Sequence, residues 1–154
     1  MQLKSLILKI IEKCLILKDK VVGEPDAILS YVCIFAQSED EYANMENQVA
    51  LTGRIVENTP TGNVYEIPPL DTSAGTLHIL KIRKPDVTRP ELGDCDFELS
   101  DYAKFKQNHL EKPGFKLIER ETFEMIELME EGGDVRIYFS NPPVSYPLQL
   151  DKVK

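Results

Sequence analysis

The chain has 154 residues, a formal net charge of −8 and 42% hydrophobic residues, enough length and apolar content for one domain with its own core. The acidic balance argues against a nucleic-acid partner, whose phosphates are met by a Lys/Arg surface. Cys14, Cys33 and Cys95 are odd in number and widely spaced, which fits neither a disulfide framework nor a zinc site and points to free core thiols in a cytoplasmic protein.

Residues 1–22 predict an amphipathic helix. Leu3, Leu6, Ile7, Ile10, Cys14, Leu17 and Val21 recur at helical spacing, and Leu8, Ile11, Leu15 and Val22 widen the stripe. Lys4, Lys9 and Lys13 break the run well before the roughly 18 apolar residues of a membrane span, and no small-residue cleavage site follows. Five lysines against Glu12 and Asp19 give the segment a net +3 on an acidic chain. Such a face is expected to pack on its own domain or on a second copy, giving a homodimer through the helix. Docking of the basic helix on a partner protein or a membrane surface is the alternative. Gly23, Glu24 and Pro25 end the element, and residues 27–154 are expected to form a single domain.

Within that domain two stretches, about 30–86 and 92–150, read alike. Cys33-Ile34-Phe35-Ala36-Gln37-Ser38 matches Cys95-Asp96-Phe97-Glu98-Leu99-Ser100 in its spacing of Cys, Phe and Ser. A helix follows in each, with Ser38 or Ser100 as N-cap and Glu39, Asp40 or Asp101 at the positive end of the dipole. Next come Gly53 and Gly114, then Glu66 and Glu127 at equal distances beyond them. Strands are expected at 115–120, 123–129 and 134–140, with Gly132-Gly133 as a hairpin turn, and Leu77 to Arg83 closes the first copy. Each copy therefore predicts strand, helix, strand, strand, strand.

Successive strand residues point to opposite sides of a sheet. The apolar set Val135, Ile137 and Phe139 must face the helices, which leaves Arg136, Tyr138 and Ser140 on the other side. The same alternation turns Cys95, Phe97, Ile126, Leu128, Tyr65, Leu80 and Ile82 toward the helices. The second face then gathers Glu66, Glu127, Asp96, Lys81, Arg83, Arg136 and Tyr138, with Val64, Phe123 and Met125 among them. Mixed charge on a partly apolar surface suits an oriented, anionic small molecule. These seven polar residues are the candidate ligand-binding set, with Arg136 as the residue expected to orient an acid through its planar fork. An open, solvated sheet face is the other reading.

Specific chemistry is sparse. His78 is expected on the helix side and His109 near a helix end, so no imidazole-based metal site and no cofactor are expected. An oxygen set from Glu66, Asp96 and Glu127 is the one arrangement that suits a hard cation such as Mg²⁺. No Gly-rich phosphate loop or nucleophile elbow is present in the sequence.

The paired layout, together with the run Leu110-Glu111-Lys112-Pro113-Gly114-Phe115-Lys116-Leu117 and the run Val135-Arg136-Ile137-Tyr138-Phe139-Ser140-Asn141-Pro142, resembles the vicinal oxygen chelate superfamily. That superfamily includes glyoxalase-like lyases and extradiol dioxygenases. Asn141 stands where the family turn carries aspartate. The resemblance implies an α+β fold of two tandem βαβββ modules, their mixed or antiparallel sheets curled around a shared cleft, here preceded by the amphipathic helix. It implies a small-molecule-binding protein of glyoxalase-like fold. Without the usual imidazoles we expect no essential metal. A divalent-metal-dependent lyase or dioxygenase is one alternative, and an interaction module acting through the N-terminal helix is another. Tandem strand-helix repeats are also similar to drug-sensing domains of the gyrase-inhibitor-like kind, which would keep the ligand cleft.

Overall fold

Helical spacing at the N-terminus produces α1 (Leu3–Val21), whose Leu6, Ile7, Ile10, Ile11, Cys14 and Leu17 are all buried. The computed structural model describes residues 2–144, so the end of the second stretch, 145–150, and the rest of the domain to 154 lie outside the described residues. After α1 come β1 (Ile28–Phe35), α2 (Glu39–Ala50), β2 (Arg54–Thr59), β3 (Gly62–Thr72) and β4 (Gly75–Arg83). Then follow β5 (Gly93–Glu98), α3 (Tyr102–His109), β6 (Phe115–Glu119), β7 (Glu124–Met129) and β8 (Val135–Asn141). The fold is α+β.

All eight strands form one mixed sheet in the order β2-β3-β4-β1-β5-β8-β7-β6. Separate sheets were expected. The difference arises because β1 and β5 pair antiparallel in the middle, satisfying backbone groups that would otherwise be open edges. β1 and β4 pair parallel, as do β5 and β8, while the remaining neighbours are antiparallel.

The central ladder is symmetric about the pair Val32–Cys95, with Tyr31 opposite Asp96 on one side and Cys33 opposite Asp94 on the other. This corrects the residue matching made from sequence. Cys95 belongs to the helix-side core, whereas Cys33 lies on the other face, because a one-residue offset turns a strand side chain over. Counting outward, Val32 leads to Leu80 and Tyr65, and Cys95 leads to Ile137 and Leu128. Glu127 therefore stands where Val64 stands, not where Glu66 does.

The helices cover one face only. Side chains from α1 join Leu80, Ile82, Cys95, Phe97, Ile137 and Phe139 in one core, to which α2 adds Met45 and Val49 and α3 adds Phe105. Each fully buried Leu or Ile there contributes roughly 1.5–3 kcal/mol. The apolar stripe of α1 is thus satisfied within the chain, leaving Leu8 and Ile16 exposed. Lys18 is buried as well, its Nζ donating to Asp19 Oδ1 at 2.9 Å and to the Glu24 carbonyl at 3.0 Å. Among the described residues no helix is long and apolar enough to cross a membrane.

Local signals set the helix starts. Ser38 Oγ accepts from the Glu41 N–H at 3.1 Å, ahead of three acidic residues in the first turn. In α3 the cap is Asp101 rather than Ser100, its Oδ1 accepting from the Lys104 N–H at 3.0 Å. A carboxylate there meets both the free N–H and the positive helix end. Gly93 is needed for close approach, since a Cβ at that position would lie 2.2 Å from the Cys33 carbonyl oxygen.

Candidate ligand-binding site

Opposite the helices, the sheet face bears a cavity of about 470 Å³. Its floor is built from alternate residues of the central strands: Tyr31 and Cys33 on β1, Lys81 and Arg83 on β4, Asp94 and Asp96 on β5, Tyr138 and Ser140 on β8. Val64, Phe123 and Met125 supply apolar wall, Glu57 and Thr59 come from β2, and Arg89 enters from the segment 84–92 joining β4 to β5. Arg120 and Thr122 come from the β6–β7 turn, with Pro142 and Val144 beyond β8.

The carboxyl groups of Asp94 and Asp96 sit at the centre and are 6% and 3% exposed. Ser140 Oγ donates to Asp96 Oδ2 at 2.6 Å, but Oδ1 of each aspartate has no hydrogen-bond partner among the described residues. Burial disfavours the charged form, so the Asp94 carboxyl is pushed up to about 7 against the pull of Arg89, Lys81, Arg83 and Arg136. Burial likewise raises Asp96 well above the usual carboxylate range, with the neighbouring Asp94 charge adding to it. The Cys33 thiol and the Tyr31 phenol are raised by burial first, which holds both neutral and makes Cys33 a poor nucleophile.

The basic groups are only partly engaged. Lys81 Nζ donates to Thr61 Oγ1 at 2.6 Å, and burial lowers its pKa. Arg83 Nη2 reaches Asp86 Oδ2 at 3.4 Å, while its buried Nε has no partner among the described residues. Arg89 Nη1 donates to the Tyr138 hydroxyl at 3.4 Å, and its guanidinium lies 5.3 Å from the centre of the Phe35 ring. Four basic residues, Lys81, Arg83, Arg89 and Arg120, thus face three acidic ones, Glu57, Asp94 and Asp96. Basic lining residues thus outnumber acidic ones on a protein of net charge −8.

Of the residues expected from sequence, Lys81, Arg83, Asp96 and Tyr138 line this cavity, whereas Arg136, Glu127 and Glu66 are not among its lining. Arg136 corrects the expectation most directly. Its Nε donates to Glu91 Oε1 at 2.9 Å and its Nη2 to the Thr88 carbonyl at 2.8 Å, so the planar fork fastens the 84–92 segment to β8. Glu127 accepts from the Tyr138 hydroxyl at 2.7 Å and lies 3.7 Å from Arg136 Nη1. Glu66 is paired to Arg54 at 2.5 Å in the outer hairpin. The acidic set suited to a hard cation is therefore not assembled, since Glu66, Asp96 and Glu127 each have a different local partner. No group of three or more His, Cys, Asp or Glu side chains among the described residues could hold a metal ion. His78 lies half-buried in β4, and His109 at the end of α3 packs between Phe105 and Phe115 at ring-centre distances of 4.6 and 5.9 Å.

Alternation along β5 puts Asp94 on the same face as Asp96, but the set expected from sequence omits it together with Tyr31, Cys33, Arg89 and Arg120. Alternation along β1 carries the signal for Tyr31 and Cys33. The arginines reside in turns whose placement depends on tertiary structure.

No family model matches the chain, and no curated protein matches it. Among solved structures it is similar to one described as "Structural Genomics, Protein EC4020", with a TM-score of 0.67 at 10% identity, covering 90% of this chain and 86% of that chain. At that identity the likeness is one of fold alone.

Proposed function

We propose that this protein binds a small organic anion in the cavity on its helix-free face. The observation that carries the proposal is that Arg83, whose buried Nε has no partner among the described residues, lines a cavity where basic residues outnumber acidic ones. Leaving a buried donor unmet costs about 1–3 kcal/mol, which a carboxylate or phosphate oxygen would recover. Size and lining agree, since ligand pockets of a few hundred Å³ combine apolar wall with few convergent polar groups.

The same proposal takes the cavity as the cleft shared by two βαβββ modules, the arrangement implied by the resemblance to the vicinal oxygen chelate superfamily. Support comes from the ladder symmetric about Val32–Cys95 and from the repeated element order on either side of it. Binding without an essential metal is favoured over the lyase or dioxygenase alternative because Glu66, Glu127 and one oxygen of Asp96 are engaged separately, with Arg54, Tyr138 and Ser140. The three cysteines are free and buried, which suits a reducing compartment such as the cytoplasm.

A thermal-shift screen with benzoate, phenylacetate, 3-phenylpropionate, phenyl phosphate and citrate tests the proposal. At least one anion should raise the melting temperature of the wild type in a dose-dependent way, and Arg83→Ala should abolish that rise while remaining folded. A panel without a single stabilising anion, or equal stabilisation of the variant, would overturn it.

A further inference from the structure

Building on this cavity as an anion site, we infer that its ligand carries, on an apolar body, both an acidic group and a separate hydroxyl or N–H donor, the acid meeting Arg83 and its basic neighbours and the donor meeting Asp94 and Asp96. An anion alone leaves the centre of the cavity unexplained. Oδ1 of Asp94 and Oδ1 of Asp96 are buried, unpartnered among the described residues, and belong to side chains that line the cavity. Unpartnered carboxyl oxygens on β5 and an unpartnered guanidinium N–H on β4, all on residues of one cavity lining, describe a complement with two kinds of polar end.

The sheet register separates those ends. Lys81 pairs with Cys33 and Cys33 with Asp94, so Lys81 and Asp94 lie in one row on strands β4, β1 and β5, with Arg83 two residues further along β4 and Asp96 two residues further along β5. Two strand spacings set Lys81 and Asp94 roughly 10 Å apart at the backbone, a span on the scale of a small aromatic acid. Tyr31 and Cys33 of β1 lie between them, and Val64 on β3 with Phe123 and Met125 at β7 add apolar surface on the flanks. A purely cationic ligand would meet the surrounding Lys and Arg groups, and a ligand with an acid only would leave both aspartates unmet. Buried acceptors of this kind discriminate against an analogue lacking the donor, because they are then left unpaired.

Titration calorimetry of the full-length protein with 3-phenylpropionate and its 2-, 3- and 4-hydroxyphenyl counterparts tests this inference. At least one hydroxylated acid should bind roughly tenfold more tightly than the parent, the worth of one hydrogen bond to a carboxyl group. Asp94→Ala or Asp96→Ala should remove that advantage, so that the hydroxylated acid binds the variant no more tightly than 3-phenylpropionate binds the same variant. Should either variant fail to fold, the comparison among the four acids on the wild type decides alone. If the parent acid binds and no hydroxyl isomer improves on it, this inference falls and the anion site stands. If none of the four acids binds, the inference is overturned, and failure of the wider anion panel would remove the anion site as well.

Discussion

The hydroxyl of Tyr138 donates to Glu127 Oε2 at 2.7 Å between two buried side chains of adjacent strands, whose Cα atoms are paired in the β7–β8 ladder. Tyr138 also lines the cavity and accepts from Arg89. One phenol therefore links a carboxylate on the neighbouring strand β7 to a guanidinium at the cavity.

Replacing that phenol exposes the dependence. Tyr138→Phe keeps the ring and removes the hydroxyl, leaving Glu127 with Arg136 Nη1 at 3.7 Å as its remaining polar neighbour. The expected loss is about 1–3 kcal/mol of unfolding free energy in urea titrations. A change smaller than about 0.5 kcal/mol would mean that Glu127 finds another donor at little cost.

Arg136→Ala should act on the 84–92 segment rather than on ligand affinity alone. The variant loses the bonds to Glu91 and to the Thr88 carbonyl, which is worth about 2–3 kcal/mol for charge-assisted contacts at a partly buried site. Limited proteolysis should cut within residues 85–91 faster than in the wild type. An unchanged cleavage pattern with full stability would contradict the anchoring role.

The raised Asp94 carboxyl makes stability depend on pH with a definite sign. Its folded value is about 7, against roughly 3.9 for an unfolded aspartate. Between these limits the folded state holds the proton and the unfolded state releases it, so this group's contribution is complete below about pH 4 and lost as pH rises through about 7. Asp94→Asn removes the titration. The stability difference between variant and wild type, measured by urea midpoints from pH 4 to 8, should move in the variant's favour as pH increases. A difference constant across that window would place the Asp94 carboxyl in the ordinary range.

Gly93→Ala tests the central joint. The added methyl would meet the Cys33 carbonyl oxygen at 2.2 Å and Ile10 Cδ1 at 3.0 Å, so backbone in the β1–β5 pair must shift. A loss exceeding about 2 kcal/mol, or failure to accumulate soluble protein, is expected. Wild-type stability in this variant would show that the strands separate there without penalty.

Much of the fold is legible in local pattern. The stripe of α1, the Ser38 cap and the alternation of Val135, Ile137 and Phe139 against Arg136, Tyr138 and Ser140 follow from spacing alone, because each depends on neighbours along the chain. Joining β1 to β5 is a different matter. Pairing between strands some 60 residues apart is set by which edges meet in space, and it turned Cys33 and Cys95 to opposite faces despite their matching sequence surroundings. Arg136 shows the corresponding limit at the site. Alternation puts it on the second face, but only the path of the 84–92 segment reveals that Glu91 and Thr88 occupy its donors.

The division of the central strands between two faces bears on how such a protein can change. Val32, Leu80, Cys95 and Ile137 hold the helices, while their immediate neighbours Cys33, Lys81, Asp96 and Tyr138 line the cavity. Substitutions at the second set alter the chemistry offered to solvent while leaving the packing partners of the first in place. Cavity chemistry and folding are thus carried by interleaved but separable alphabets, and a lineage can rewrite one while preserving the other, provided that each new cavity residue finds partners for whatever polar atoms it buries.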